Sequence, residues 1–305
     1  MMSTGAAGLA TAAGAAAPLL GSSAPGFRRI KAGAFEITFI SDGLVIAENP
    51  QSYFATDQDQ STVDAFLEQN LLPLDKLEFT YFPVVVNTGA ELILIDTGNG
   101  PKPGRGQLMT GLAAAGYTPD QIDVVVITHM HPDHIGGMML DGVPAFPNAR
   151  YVVGQVEYDF FSDENLVGSP LEGLHTMTRE MVTPFAEKTT FIQPGDSIVS
   201  GIDATDTFGH TPGHLGIHIE SEGRRLQLIS DAATHFAISL QKPSWESRFD
   251  FDKEAAAQTR RRLFDMLASE QVAFSGYHMP FPALGYVEAT GDAYRYVPAS
   301  YQFSV

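Results

Sequence analysis

The stretch that most constrains this chain is residues 128–137, THMHPDHIGG, which directly follows the apolar run VVVI. Within six positions it holds four side chains of metal-ligand type: His129, His131, Asp133 and His134. A buried strand that ends on four polar side chains must give them partners, because unpaired buried polar groups are costly. Imidazole and carboxylate ligands suit zinc or another borderline divalent ion. The segment therefore predicts a metal site at a strand end.

Three later apolar runs end in a similar way. Their segments are FGHTPGH, LQLISDA and GYHMPFP, which carry His210 and His214, Asp231, and His278 respectively. Each polar side chain comes where an apolar run stops, and loops at one edge of a rigid sheet are the usual place for functional groups. We therefore expect these residues to meet the first segment at a common edge.

Composition excludes several classes of function. The 305 residues carry a formal net charge of −18, which disfavours a phosphate backbone as partner, so we expect no nucleic acid. The chain has no cysteine, which rules out a disulfide framework, a zinc ribbon and a cysteine nucleophile. No apolar run has the length and bulk of a membrane span, so no membrane partner is expected.

Residues 1–26 differ from the rest of the chain because they are rich in Ala, Gly and Ser and carry no charge. Two interpretations stay open: a flexible leader, or the remnant of an export signal that lacks its positive start. The second would indicate a periplasmic or secreted protein, and the first is compatible with the cytoplasm. Residues 27–305 are expected to form a single domain.

The order of predicted elements favours an α/β fold in which two sheets pack together with helices outside. Predicted strands occupy 34–46, 82–89, 91–100, 121–129, the first part of 149–161, 197–210, 214–232 and, as the last strand, 271–282. Predicted helices occupy 60–72, 107–116, the second part of 149–161, most of 162–190, and 254–270. Antiparallel hairpins at the beginning and middle of the chain, mixed with helices, indicate a sandwich.

The four metal-ligand segments, taken in this order, resemble those of the metallo-β-lactamase superfamily. Further stretches are similar to methyl parathion hydrolase and its lactonase relatives, from about Ser23 to the C-terminus. They are SAPGF, LILIDTG, GYHMPFPALG and YRYVPASY. The resemblance implies an αββα four-layer sandwich, a binuclear metal centre and a homodimer.

The resemblance also implies a role for each residue. His129, His131 and His214 would hold the first metal, Asp133, His134 and His278 the second, and Asp231 would bridge them. His210 is expected to be a non-ligand that shapes the Thr-Pro-Gly turn after it. Asp96 would orient a ligand histidine or serve as a turn residue. Phe161 and Phe281 are expected at the substrate pocket, with further contributions from Phe160, Phe236, Trp245 and Met279.

Two divalent ions, with zinc as first choice and Mn, Co or Fe as alternatives, would share a hydroxide that attacks the substrate. Asp133, Asp231 and His278 would serve the reaction beside this hydroxide. An apolar pocket without an anion clamp suits a neutral lactone or ester, and an organophosphate triester is also possible. The loop 99–107, NGPKPGRGQ, lacks a phenylalanine that the parathion hydrolase resemblance implies. Alternatives left open are an organophosphorus hydrolase as the main activity and a metal-bound binding module without catalysis.

Overall fold

The computed structural model describes residues 25–305, so the prediction for residues 1–26 lies almost entirely outside the described part. Its strands are β1 Phe27–Ala32, β2 Phe35–Ile40, β3 Leu44–Glu48, β4 Lys76–Thr80, β5 Val84–Asn87, β6 Leu92–Ile95, β7 Val124–Ile127, β8 Met139–Leu140, β9 Val143–Pro144, β10 Arg150–Gly154, β11 Thr189–Ile192, β12 Ser197–Val199, β13 Ile202–Asp206, β14 Leu215–Ser221, β15 Arg224–Ser230, β16 Ala273–Gly276, β17 Leu284–Thr290 and β18 Ala293–Pro298. Its α-helices are α1 Gln60–Gln69, α2 Leu108–Ala115, α3 Pro132–Ile135, α4 Gln155–Phe161, α5 Glu172–Met181, α6 Ile238–Gln241 and α7 Lys253–Glu270.

Fourteen strands form two seven-stranded sheets. The first has the order β1-β2-β5-β6-β7-β10-β11, antiparallel up to β6 and parallel from β6 to β11. The second has the order β12-β13-β14-β15-β16-β17-β18 and is antiparallel except between β15 and β16. Strands β3 and β4 form a separate antiparallel pair.

Two buried faces explain why the sheets pack as layers. Apolar side chains of both sheets share one core between them, to which Ile37 and Val126 contribute from the first sheet and Ile217 and Leu228 from the second. The outer face of the first sheet packs against α2, α4 and α5, and that of the second against α7. The αββα prediction is confirmed by this arrangement.

Local sequence explains where the main helices begin and end. Asp252 caps α7 by accepting a hydrogen bond from the Ala255 N–H at 2.9 Å, and Asp59 caps α1 in the same way. Helix α2 ends at Gly116, whose φ of 86° is the left-handed conformation that glycine adopts without strain. Helices α1 and α2 lie within their predicted ranges, and α7 begins one residue before its range, 254–270.

Several sequence predictions need correction. The predicted range 34–46 contains β2 and the start of β3, which do not pair with each other. Strand β2 pairs with β1 and β5, and β3 pairs with β4. The segment 271–282 is not the last strand, because β17 and β18 follow it as an antiparallel hairpin. The polar stretch 162–190 is mostly helical as predicted, but β11 begins at its end.

None of the helices within residues 25–305 combines the length and the apolar character that crossing a bilayer requires.

Candidate metal centre

Six of the seven predicted ligands converge at the carboxyl ends of β7 and β15 and in the loops beside them. Strand β7 leads into His129 and His131, and helix α3 carries the next two residues of the motif. Asp231 follows β15, and His278 follows β16 after one residue, Tyr277. The strand ends belong to different sheets but lie at the same edge of the sandwich, so Asp133 and His278 come within 3.4 Å of each other.

The first ligand group consists of His129, His131, His210 and Asp231. The Nδ1 atom of His131 lies 3.1 Å from His129 Nε2 and 3.0 Å from His210 Nε2. Asp231 Oδ2 lies 3.4 Å from His210 Nε2 and 3.8 Å from His129 Nε2. Ligands about 2.0–2.1 Å from a tetrahedral zinc ion stand roughly 3.3 Å apart, so these spacings suit such an ion.

The second ligand group consists of Asp133, His134, His278 and the same Asp231. Asp231 Oδ2 lies 3.1 Å from His278 Nε2 and 3.5 Å from His134 Nε2. Asp133 Oδ2 lies 3.4 Å and 3.7 Å from those two nitrogens. One carboxylate oxygen of Asp231 therefore faces both groups, the position that a bridging ligand requires.

His210 and His214, which flank one Pro-Gly turn, lie differently with respect to the first ligand group. Both ring nitrogens of His214 are engaged by protein: Nδ1 lies 2.7 Å from Thr207 Oγ1, and Nε2 accepts the Asp231 N–H at 3.1 Å. His210 instead directs its Nε2 at the first ligand group. In this geometry His210 belongs to the first ligand group, and the assignment of His214 as a ligand stays a prediction, since two histidines flanking one Pro-Gly turn cannot be distinguished by spacing.

The donor atoms of both groups fit divalent cations. His210 and His134 each direct Nδ1 at a carboxylate, so that nitrogen carries the proton and the Nε2 lone pair points into the site. Within residues 25–305, His134 Nε2 and Asp231 Oδ1 are buried without a hydrogen-bond partner. Lone pairs that face one another without protons between them repel, and a cation removes that repulsion.

Asp96 supports the second ligand group from the end of β6. Its Oδ2 accepts hydrogen bonds from His134 Nδ1 and from Thr128 Oγ1, both at 2.8 Å, and its Oδ1 accepts the Thr128 N–H. Ser230 Oγ lies 2.9 Å from Thr128 Oγ1. Asp96 and Ser230 both have positive φ, 61° and 45°, a strained conformation that is common at functional sites. Such a carboxylate fixes the tautomer and orientation of a ligand histidine.

Asp250 supports the first ligand group, and sequence reasoning missed it. Its Oδ1 accepts a hydrogen bond from His210 Nδ1 at 3.0 Å, and its Oδ2 accepts one from Arg260 Nη1 of α7 at 2.9 Å. The two side chains of this ion pair are 1% and 4% exposed. No motif marks Asp250, and only the FDFD stretch before the α7 cap offers a signal.

Glu157 of α4 ties two ligand loops together and was also missed. Its carboxylate is buried and accepts hydrogen bonds from Met130 N–H, Thr211 Oγ1 and Gly213 N–H at 2.8–2.9 Å. Burial raises the pKa of Glu157 to about 7, although the three donors act in the opposite direction. The residue holds the loop after β7 against the loop that carries His210.

Burial sets the charge of the clustered imidazoles. Burial, followed by the neighbouring His210, lowers the pKa of His131 to about 3, and the same two causes lower that of His214 to about 3. Burial also lowers the pKa of His278, but Asp231 and Asp133 outweigh it and the pKa is raised overall. Burial also lowers the pKa of His129, so His129 and His131 are neutral imidazoles, the form in which histidine binds metals.

A cavity of about 500 Å³ opens over both ligand groups. Aromatic side chains form much of its wall: Tyr53, Phe79, Tyr81 and Phe249. Lys102 and Arg105 from the loop 99–107 also line it. These two cations depart from the expectation of an apolar pocket without an anion clamp, because the polar loop that carries them reaches the cavity.

The predicted pocket residues lie elsewhere. Phe161 is fully buried in the core beneath α4, where its ring packs 5.6 Å from that of Phe251, so its assignment to the pocket is wrong. Met279 is also fully buried, and Trp245 packs against Phe66. Phe281 lines an adjacent cavity of about 400 Å³, which shares Phe79, Thr234 and His278 with the first, and Phe236 lines it too.

Comparisons with known proteins identify the family and the fold. The sequence profile of the metallo-β-lactamase superfamily matches residues 81–273, which include all the ligands except His278. An N-acyl homoserine lactonase from Bacillus cereus is 28% identical over 178 residues, covering 56% of this chain and 62% of the relative. The metallo-β-lactamase domain-containing protein 1 of Mus musculus is 30% identical over 62% of this chain and 60% of its own length. The chain thus spans about three fifths of the curated relatives it matches.

Two solved structures resemble nearly the whole described chain. AidC, a dizinc quorum-quenching lactonase in complex with a product N-hexanoyl-L-homoserine, superposes with a TM-score of 0.83 at 26% identity, covering 91% of this chain and 98% of its own. The hydrolase AbOPH of the β-lactamase superfamily superposes with a TM-score of 0.84 at 26% identity, covering 92% and 100%. With a profile match over more than half of its length, the chain belongs to the metallo-β-lactamase superfamily.

Proposed function

We propose that this protein is a binuclear metal-dependent hydrolase that acts on lactones and esters. The observation that carries the proposal is the position of Asp231 Oδ2, which faces both ligand groups at the floor of one cavity. The lactonase names among the relatives and the dizinc description of AidC support the metal and the substrate class.

The ligand residues are His129, His131 and His210 for one ion, Asp133, His134 and His278 for the other, and Asp231 for both. Zinc suits this oxygen and nitrogen set, and Mn, Co and Fe suit it as well. Two such ions supply Lewis acidity and a water whose pKa is lowered toward neutrality. The chain offers no cysteine nucleophile, so activation of water is the chemistry that its site supports.

The chain's own residues orient and shield the reacting groups. Asp96 and Asp250 keep His134 and His210 in the tautomers that leave their Nε2 lone pairs directed inward. Burial, and then the charge of Asp133, raises the pKa of the Tyr81 phenol to about 12. Tyr81 therefore stays protonated and is a hydrogen-bond donor for a substrate oxygen.

Metal analysis beside a hydrolysis panel tests the proposal. The panel holds an acyl-homoserine lactone, a δ-lactone, p-nitrophenyl acetate, methyl parathion and a cephalosporin. We expect two metal ions per chain and turnover of the lactones or the ester, lost after chelation and restored by metal. Full activity in metal-free protein would contradict the proposal.

An organophosphate triesterase is a second candidate, favoured by the four aromatic side chains of the cavity wall, which suit an aryl leaving group. Methyl parathion turnover that exceeds every lactone and ester would support it. Two bound metals with no turnover of any compound would support the metal-bound binding module instead.

The homodimer stays a prediction, as do the export of the protein and its division at residue 26.

A further inference from the structure

Two cations stand out on the wall of the cavity above the metal centre. They are Lys102 and Arg105, both from the loop 99–107. Acidic residues outnumber basic residues 36 to 18 in the chain. Yet the only acidic residues that line this cavity, within the described chain, are Asp133 and Asp231 of the ligand groups. Outside the ligand groups, the charge of the wall is therefore opposite to that of the protein as a whole.

Neither cation is neutralised by protein. Within residues 25–305, no carboxylate oxygen lies within ion-pair distance of the side-chain nitrogens of Lys102 or Arg105. Arg105 Nε is buried and has no hydrogen-bond partner, while the guanidinium lies beside the Tyr81 hydroxyl. A buried donor without an acceptor costs free energy that a ligand oxygen can recover.

The loop that presents the two cations is tightly held. The buried Asp42 accepts hydrogen bonds from the Asn99 N–H at 2.8 Å and from the Leu108 N–H at 2.7 Å, and so joins the two ends of the loop. The Arg105 N–H donates to the Lys102 carbonyl at 3.2 Å, which closes a turn. A side chain at Gly100 would collide with the Gly136 carbonyl, so the loop backbone packs directly on the metal-binding motif.

We propose that Lys102 and Arg105 bind a carboxylate that the substrate carries away from the bond that is cleaved. The inference rests on the proposed lactone and ester hydrolase. A guanidinium presents a planar fork of N–H donors that matches the two oxygens of a carboxylate, and an ammonium adds a second charge. The aromatic walls suit an apolar body between the carboxylate and the scissile bond. The substrate class is thus an amphiphilic acid that contains a lactone or ester.

The reaction on such a substrate is hydrolysis. The oxygen of water forms a bond to the carbonyl carbon, and the acyl C–O bond breaks. The leaving oxygen takes a proton and becomes an alcohol, and the new carboxylic acid loses a proton to solvent. The carboxylate held by the two cations does not react.

A matched pair of lactones tests the inference. In one, a γ-butyrolactone carries on the ring carbon next to the ring oxygen an alkyl chain that ends in a carboxylate, and in the other the same chain ends in a carboxamide. We expect the wild type to prefer the carboxylate. Arg105→Gln should lower kcat/KM for it about 10- to 100-fold, mainly through KM, and Lys102→Gln about tenfold. For the carboxamide, kcat/KM should change less than about twofold in either variant. The control is Lys188→Gln, which removes an exposed cation outside the cavity and should leave kcat/KM for both lactones unchanged.

A binding measurement separates this inference from the proposed function. Calorimetry with a cyclopentanone that carries the same carboxyalkyl chain, a lactone analogue without a cleavable bond, should show binding to the metal-loaded wild type that the double variant Lys102→Gln/Arg105→Gln loses. Equal binding to both would overturn the inference, because the carboxylate would then bind the metal ions. Equal hydrolysis of both lactones by wild type and double variant would also overturn it and leave the proposed function intact. Binding lost in the double variant, with no lactone hydrolysed by any form, would support the carboxylate site and contradict the hydrolase.

Discussion

The two ligand groups of the metal centre are built alike but supported differently. In each, a buried carboxylate accepts a hydrogen bond from the Nδ1 of a ligand histidine: Asp96 from His134 and Asp250 from His210. The carboxylate of Asp96 is further bonded by the N–H and the hydroxyl of Thr128, which are neutral donors. The carboxylate of Asp250 is instead paired with the guanidinium of Arg260.

Because of this difference, the hydrogen bond between a carboxylate and a ligand histidine can matter for metal binding alone or for metal binding and folding stability. A change at Asp96 removes the negative charge behind His134 and leaves no cation behind. A change at Asp250 removes the support of His210 and also leaves the buried Arg260 without its counter-charge. Removal of one partner of a buried pair costs about 3–5 kcal/mol of stability. Loss of the Asp250 carboxylate should therefore lower both metal affinity and folding stability, whereas loss of the Asp96 carboxylate should lower metal affinity alone.

Asp231→Ala should give the largest effect, because both ligand groups share this carboxylate. We expect the purified variant to hold fewer than two metal ions and kcat/KM to fall on the order of 10³-fold or more. Metal analysis and lactone kinetics measure both. Normal activity in the variant would show that the shared position of Asp231 is not used.

His210→Gln and His214→Gln should differ in their effect on the first ligand group. His210→Gln removes a ligand nitrogen, so we expect one metal ion to be lost and kcat/KM to fall roughly 100-fold. His214→Gln should retain two metals, because His214 bonds only Thr207 and the Asp231 backbone. The reverse outcome would restore the assignment that the sequence suggested.

Asp96→Asn and Asp250→Asn sharpen the comparison directly. Each should weaken metal binding about 10- to 100-fold, since each replaces the charged acceptor of a ligand histidine's Nδ1–H by a neutral amide. Only Asp250→Asn should also destabilise the protein, by about 3 kcal/mol, because it leaves the buried Arg260 without its counter-charge. Chelator competition and denaturant unfolding measure the two quantities.

The double variant Asp250→Asn/Arg260→Met is the control for that pair. It removes the buried cation as well, so it should recover much of the lost stability without recovering metal affinity. If the double variant unfolds as easily as Asp250→Asn, the ion pair is not the source of the difference between the two groups.

His235 should give a smaller effect that does not depend on metal. Its Nδ1 accepts the N–H groups of Ala237 and Ile238, and burial lowers its pKa from 6.5 to about 4. The unfolded chain binds this proton first as pH falls, so about 3 kcal/mol of stability should be lost between roughly pH 6.5 and pH 4. His235→Asn should lack that contribution in urea unfolding at several pH values. The same difference between wild type and variant should appear with and without metal, unlike any contribution from the ligand histidines.

Much of the fold could be predicted because its central strands carry continuous apolar runs. VVVI and LILI are four-residue strands buried on both faces, and only a layered α/β fold provides such places. The hairpin of β17 and β18 was missed because its partly exposed residues show no clear alternation. Pairing of β3 with β4 could not be foreseen, since 27 residues that include α1 separate Glu48 from Lys76.

Ligands that directly follow an apolar run could be predicted from the sequence. Residues that support the ligands from distant positions in the chain could not. The motif at 129–134 and Asp231 have this signal, whereas Asp250 and Arg260 stand 40 and 50 positions after His210 with no pattern that links them. The position of His210 in the first ligand group could not be foreseen for another reason. Both histidines flank one turn, and spacing alone does not show which ring lies beside His129 and His131.

Asp42 has a consequence beyond its own burial. Its carboxylate is bonded by Asn99, Gly106 and Leu108, at the two ends of the loop, and not by the residues at its tip. The hydrogen bonds by which Asp42 holds the loop therefore do not involve the side chains of the loop's tip, Pro101 to Arg105. We expect other sequences at the tip to change substrate selectivity while the metal-binding residues keep their positions.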